Sequence, residues 1–93
     1  MLRITIQKGS GPVTLKLEGK LAGPWVEELK DVWRSGHATE AVLVDLIDVS
    51  FVDASGKDLL AKMDQRGADF IANSPLMKRV IEEVKRSPQG WVK

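Results

Sequence analysis

The stretch Ala41 to Lys62, AVLVDLIDVSFVDASGKDLLAK, constrains the fold more than any other part of the chain. It opens on a continuous apolar run, Ala41-Val42-Leu43-Val44, and leads into Leu59, Leu60 and Met63 at helical spacing. Between them lies a short polar turn, Asp53-Ala54-Ser55-Gly56. An apolar run without alternation, here Ala41 to Leu46 with Asp45 near its end, is the pattern of a strand covered on both faces. A strand followed by a turn that launches a helix places the turn at the carboxyl end of a sheet. Binding sites of open α/β sheets lie there.

The remaining segments supply a scaffold for that turn. Leu2, Ile4 and Ile6 alternate with polar residues, as do Val13, Leu15 and Leu17, and the Gly9-Ser10-Gly11-Pro12 turn cluster separates them. This predicts an antiparallel hairpin with one wet face. Pro24 stands where a helix starts at no hydrogen-bonding cost. From there Trp25, Val26, Leu29, Val32 and Trp33 share a face, predicting a helix to about Ser35, with Gly36 as its stop. Asp58 and Lys62 are spaced for an i,i+4 ion pair on the second helix, which ends at Gly67. Ala68 to Ala72 reads as a short last strand. Ser74 as N-cap and Pro75 as first helical residue start a third helix, with Leu76, Met77, Val80, Ile81 and Val84 as its apolar stripe. The predicted order is β-β-α-β-α-β-α: an α/β fold with a mixed four-stranded sheet, hairpin first and parallel βαβ units after it, and three helices. One domain over residues 1–86 and a fraying tail over 87–93 complete the expectation.

Composition narrows the function classes. A net charge of +1 with interspersed signs gives no basic face for nucleic acid. No apolar run approaches the roughly 18 residues of a membrane span, and the start MLRITIQ has no signal-peptide core. The absence of cysteine excludes disulfides and thiolate metal sites and fits a cytoplasmic setting. His37, the one histidine, sits in a predicted loop without a nominated partner. Asp45, Asp48 and Asp53 lack the calcium-loop spacing and read as solvated or capping carboxylates. The glycines form no phosphate-cradling motif. Trp25 and Trp33 share the helical stripe and read as core. No catalytic residue, metal or cofactor is predicted. Ser55 has two readings from its residue type: an N-cap beside a turn glycine, or an exposed hydroxyl put to use.

The segment Asp45-Leu46-Ile47-Asp48-Val49-Ser50-Phe51-Val52-Asp53-Ala54-Ser55-Gly56 resembles the signature of STAS domains, which are found in sulfate transporters and anti-sigma factor antagonists. That signature is D-L-x-x-V-x-F-[IVM]-D-S-[ST]-G. Leu17-Glu18-Gly19-Lys20-Leu21 resembles the family's L-x-G-x-L segment, and Ala72 to Val80 its S-P-containing segment. The three pieces stand in family order over roughly Leu2 to Val84. Ala54, Lys57 and Ala22 depart from the pattern, and Ser87 to Lys93 is shorter than the strand and helix usual after the third helix.

The resemblance implies a non-catalytic interaction domain in which Ser55 is phosphorylated by a partner, an anti-sigma factor that is itself a serine kinase. It nominates Asp53, Ala54, Gly56, Lys57, Lys20, Leu21 and Ala22 as the partner-binding surface. The place of Lys57 in the first turn of the second helix, not the resemblance, predicts a charge contact from it to a phosphate on Ser55. A second role of this family, a cytosolic STAS subunit bound to the nucleotide-binding subunit of a lipid transporter, dispenses with phosphorylation. An enzyme ranks last, because only carboxylates stand near Ser55. The short C-terminus further predicts an exposed last strand, covered by Trp91 and Val92 or by a homodimer contact.

Overall fold

The elements follow the predicted order. In the computed structural model, which describes residues 1–8, 11–35 and 41–86, they are β1 (Leu2–Gln7), β2 (Val13–Leu21), α1 (Pro24–Arg34), β3 (Val42–Val52), α2 (Ala54–Gln65), β4 (Asp69–Ile71) and α3 (Pro75–Arg86). The strands lie side by side as β1-β2-β3-β4. β1 and β2 are antiparallel, with Leu2 opposite Gly19 and Gln7 opposite Thr14. β2–β3 and β3–β4 are parallel. His37 and Gly36, and the tail with Trp91 and Val92, lie outside the described residues.

One alternating set of strand residues, among them Leu15, Leu17, Val42, Val44 and Leu46, forms a single core with all three helices. α1 contributes Val26, Leu29 and Trp33, α2 contributes Leu59, Leu60 and Met63, and α3 contributes Met77, Val80 and Val84. Trp25 packs against the edge of this core. The opposite sheet face carries Thr14, Lys16, Glu18, Leu43 and Asp45, all half-buried, with exposed Arg3, Asp69 and Ile71. The architecture is therefore two layers, and β3 is buried on one face rather than on both as its composition predicts. The apolar Leu43 that gave that impression sits on the open face, between Thr14 and Asp69 of the neighbouring strands.

β3 is also longer than the predicted Ala41–Leu46 strand. Its pairing with β2 slips between Lys16 and Glu18 and again between Gly19 and Lys20, each time with one extra residue on β3. Each bulge resets which side chains face the core. Past Val44 the buried residues are Leu46, Val49 and Val52, three apart instead of two. That spacing hides the strand from a search for alternation.

The helix ends use local chemistry. Ser74 Oγ accepts a hydrogen bond from Met77 N at 3.1 Å, and Pro75 opens α3, as predicted. α2 closes on a Schellman motif: Gly67 N donates to Asp64 O and Ala68 N to Met63 O. Gly67 holds φ at 93°, a conformation that costs a glycine nothing. Because Ala68 belongs to this cap, β4 spans three residues rather than the expected five. It forms an edge of the sheet among the described residues.

Candidate functional site

β2 ends at Leu21 and β3 at Val52, side by side in parallel register. Both therefore feed helices from the same rim of the sheet, α1 through Ala22-Gly23 and α2 through Asp53. Asp53 is the residue that fastens this rim together. Its backbone N–H donates to Leu21 O at 3.1 Å. Its carboxylate Oδ1 accepts from Gly56 N at 2.7 Å, and Oδ2 accepts from Gly23 N at 2.9 Å. One side chain thus caps α2 and holds the residue before α1. Those two N–H groups, Gly23 first and Gly56 second, hold the Asp53 carboxyl below its ordinary range. It stays ionised near neutral pH, with both oxygens engaged, and is poorly placed to act as a base.

Asp53 is the N-cap, so Ser55 is not. Ala54, Ser55 and Gly56, read in the sequence as a turn, are the first three residues of α2. Ser55 is exposed at the second helical position. Gly56 does not serve a tight turn either. It is buried, and a Cβ built on it meets Leu21 O at 2.7 Å and Val52 Cγ1 at 2.8 Å. Glycine here lets α2 start directly against the ends of β2 and β3.

The other nominated residues divide by exposure. Ala54 and Lys20 are exposed, and Ala22, Asp53 and Lys57 are half-buried. Leu21 is fully buried, so its part is positional: its carbonyl anchors Asp53. Lys57 points away from Ser55. Residues two apart on a helix lie on different faces, and Lys57 Nζ bonds Glu83 Oε1 on α3 at 2.7 Å. This pairing, helped by Arg79, lowers the Glu83 carboxyl below its usual range. The expected contact between Lys57 and a phosphate on Ser55 gives way to this bridge.

The side of α2 that carries Ser55 faces α1. A shallow hollow of about 140 Å³ is lined by Ser55, Val26, Glu27, Lys30, Asp58, Leu59 and Lys62. The predicted Asp58–Lys62 ion pair is absent from the ion pairs among the described residues; Lys62 instead lines the cleft between the two helices. Sequence reasoning missed Gly23 as a partner of Asp53, Glu83 as a partner of Lys57, and this cleft. The cleft had a signal in the paired cations Lys30/Arg34 and Lys62/Arg66, each four residues apart on one helix. Gly23 and Glu83 are tertiary partners with no local signature.

Among the described residues, no three His, Cys, Asp or Glu side chains gather as a metal site. No helix among them is long and apolar enough to cross a membrane.

Comparison with solved structures places the fold. The chain is similar to the anti-sigma factor antagonist SpoIIAA in its unphosphorylated form, with a TM-score of 0.61 and 18% identity over 87% of this chain and 83% of that one. It is similar to a STAS-domain anti-sigma factor antagonist from Rhodobacter sphaeroides, with a TM-score of 0.54 and 16% identity over 76% of this chain and 84% of that one. It also matches part of the structure of Mglu, with a TM-score of 0.60 and 20% identity; the match covers 76% of this chain but only 19% of that one. By sequence, no protein family and no curated protein matches. At these identities the likeness is one of fold: a four-stranded mixed sheet with three helices, of the STAS type.

Proposed function

We propose that this chain is a non-catalytic, cytoplasmic interaction domain of the anti-sigma factor antagonist type, switched by phosphorylation of Ser55 by a partner serine kinase. The observation that carries the reading is the placement of Ser55: exposed, on the first turn of α2, at the carboxyl rim of the sheet. A kinase can reach that hydroxyl without unfolding anything. The first turn of a helix has backbone N–H groups without helical partners, and its dipole favours negative charge. A phosphate on Ser55 is therefore tolerated by the fold. Its roughly −1.5 to −2 charges change the surface offered to a partner. Asp53 and Asp58 already stand beside it, so the modified rim repels an acidic partner surface and resists desolvation. Lys20, Ala22, Asp53, Ala54 and Lys57 make up the surrounding contact surface, with Leu21 and Gly56 holding it in shape.

The test is calorimetric titration of the parent, Ser55→Ala and Ser55→Asp against a serine kinase encoded beside this chain's gene, with melting curves as folding controls. Ser55→Asp is expected to fold normally and bind about tenfold more weakly, a loss of about 1.4 kcal/mol. Ser55→Ala is expected to bind and to resist phosphorylation. Equal binding by the parent and Ser55→Asp, or a phosphate mapped to another residue, refutes the switch.

A further inference from the structure

The cleft between α1 and α2 holds a concentration of charge that the switch does not use. Lys30 and Arg34 project from α1, and Lys62 and Arg66 from α2, around a groove of about 440 Å³. Its apolar lining is Trp33 and Leu59, both nearly buried. No carboxylate lines it, and none of the four cations is in an ion pair among the described residues. The whole chain carries +1, so with +4 gathered here the rest of the molecule carries −3. Like charges one helical turn apart repel, and two such pairs face each other across one groove. Glu27 and Asp58 stand beside Lys30 and Lys62 at the Ser55 end, but the charged residues lining the groove itself are all cations, which favours an anion.

We infer that this groove binds an acidic peptide segment of a protein partner. The spacing suits one. Cations four residues apart on a helix are separated by about 6 Å along its axis. Alternate side chains of an extended peptide are about 6.6 Å apart. A single extended segment with carboxylates at alternate positions sets a negative charge opposite each row. Trp33 argues against a nucleic acid base as occupant. The residue is only 6% exposed, and the Arg66 guanidinium stands 6.0 Å from its ring centroid, so it offers no open face for stacking. The groove meets the hollow at Ser55 through Lys30, Leu59 and Lys62, which line both. A partner engaged at the rim can extend into it. The inference holds for the unmodified protein and does not depend on phosphorylation of Ser55.

The experiment titrates the full chain, without kinase, with a hexaglutamate peptide by calorimetry, and follows amide shifts by NMR. Binding is expected at about 50 mM salt and should weaken strongly by about 300 mM, as unscreened charge pairs require. Lys30→Gln combined with Lys62→Gln should weaken it about tenfold, while Lys78→Gln on α3 should leave it unchanged. Shift changes should concentrate on α1 and α2 where they face each other. The inference is overturned if the peptide does not bind at low salt, if the double substitution leaves binding intact, or if the shifts map to α3 or the open sheet face. Tighter binding of a single-stranded oligonucleotide or of tripolyphosphate at equal charge, with the same sensitivity to substitution, also overturns it.

Discussion

Replacing Gly56 by alanine adds one methyl group at the tightest joint of the molecule. The new Cβ sits 2.7 Å from Leu21 O and 2.8 Å from Val52 Cγ1. Neither neighbour can step aside cheaply. The Leu21 carbonyl is fixed by Asp53 N at the end of a paired strand, and Val52 is buried. Relief requires α2 to move off the strand ends, which stretches the 2.7 Å bond from Gly56 N to Asp53 Oδ1. Overpacking of this kind costs about 1–3 kcal/mol. Against it stands the better helix propensity of alanine, about 1 kcal/mol in a helix interior and less near its end. The steric term wins, leaving a loss of about 1–2 kcal/mol. In a domain of this size that lowers the melting temperature by roughly 4–16 °C. Gly11→Ala, where a Cβ meets nothing within 4 Å, is the comparison. Thermal and urea unfolding of the three proteins decide the matter. A Gly56→Ala protein as stable as the parent would show that α2 does not rest against the strand ends.

Three further perturbations probe other parts of the structure. Val44→Ala removes two methyl groups at a fully buried position in an inner strand. At about 0.8 kcal/mol each plus a cavity term, it should cost about 2–3 kcal/mol in urea unfolding. Ser74→Ala removes the acceptor for Met77 N and should cost about 1 kcal/mol, with Ser74→Asp restoring most of it. Asp53→Asn keeps one acceptor but turns an amide donor towards the other N–H, so it should be less stable than the parent at neutral pH. Because folding lowers the Asp53 pKa below its ordinary 3.8, the unfolded chain binds the proton more readily. The advantage of aspartate is therefore full above that ordinary value and disappears as pH falls through the lowered one. A stability gap that persists at the acid end would contradict the assigned bonds.

The order of elements was legible because its signals are local. Period-two alternation marked β1 and β2, a proline and an apolar stripe marked α1, and Ser74-Pro75 marked the start of α3. What escaped depends on partners distant in sequence. The two bulges of β3 arise from its register against β2, and they turned a long strand into an apparent strand followed by loop. Leu43 suggested a doubly covered strand, although burial depends on which helices lie where. At the candidate site, the residues of the signature fall where β3 ends and α2 begins, but what each one does there depends on tertiary partners. Of the two capping candidates, Asp53 and Ser55, the cap is Asp53, and Gly56 is a packing glycine rather than a turn glycine. Lys57 was drawn to Glu83, a partner 26 residues away that no local pattern announces.

The strands lie in the sheet in the order in which they occur along the chain. No strand has to be inserted between two others that have already paired. As the chain leaves the ribosome, the β1–β2 hairpin can close first from purely local contacts. β3 then finds a finished edge waiting for it, and β4 finds the next. Each parallel addition brings the intervening helix down on the same face, so the core grows outward from one side and never needs to be reopened. Synthesis from the N-terminus and assembly of the sheet run in the same direction, which limits the time any apolar strand spends without its neighbour.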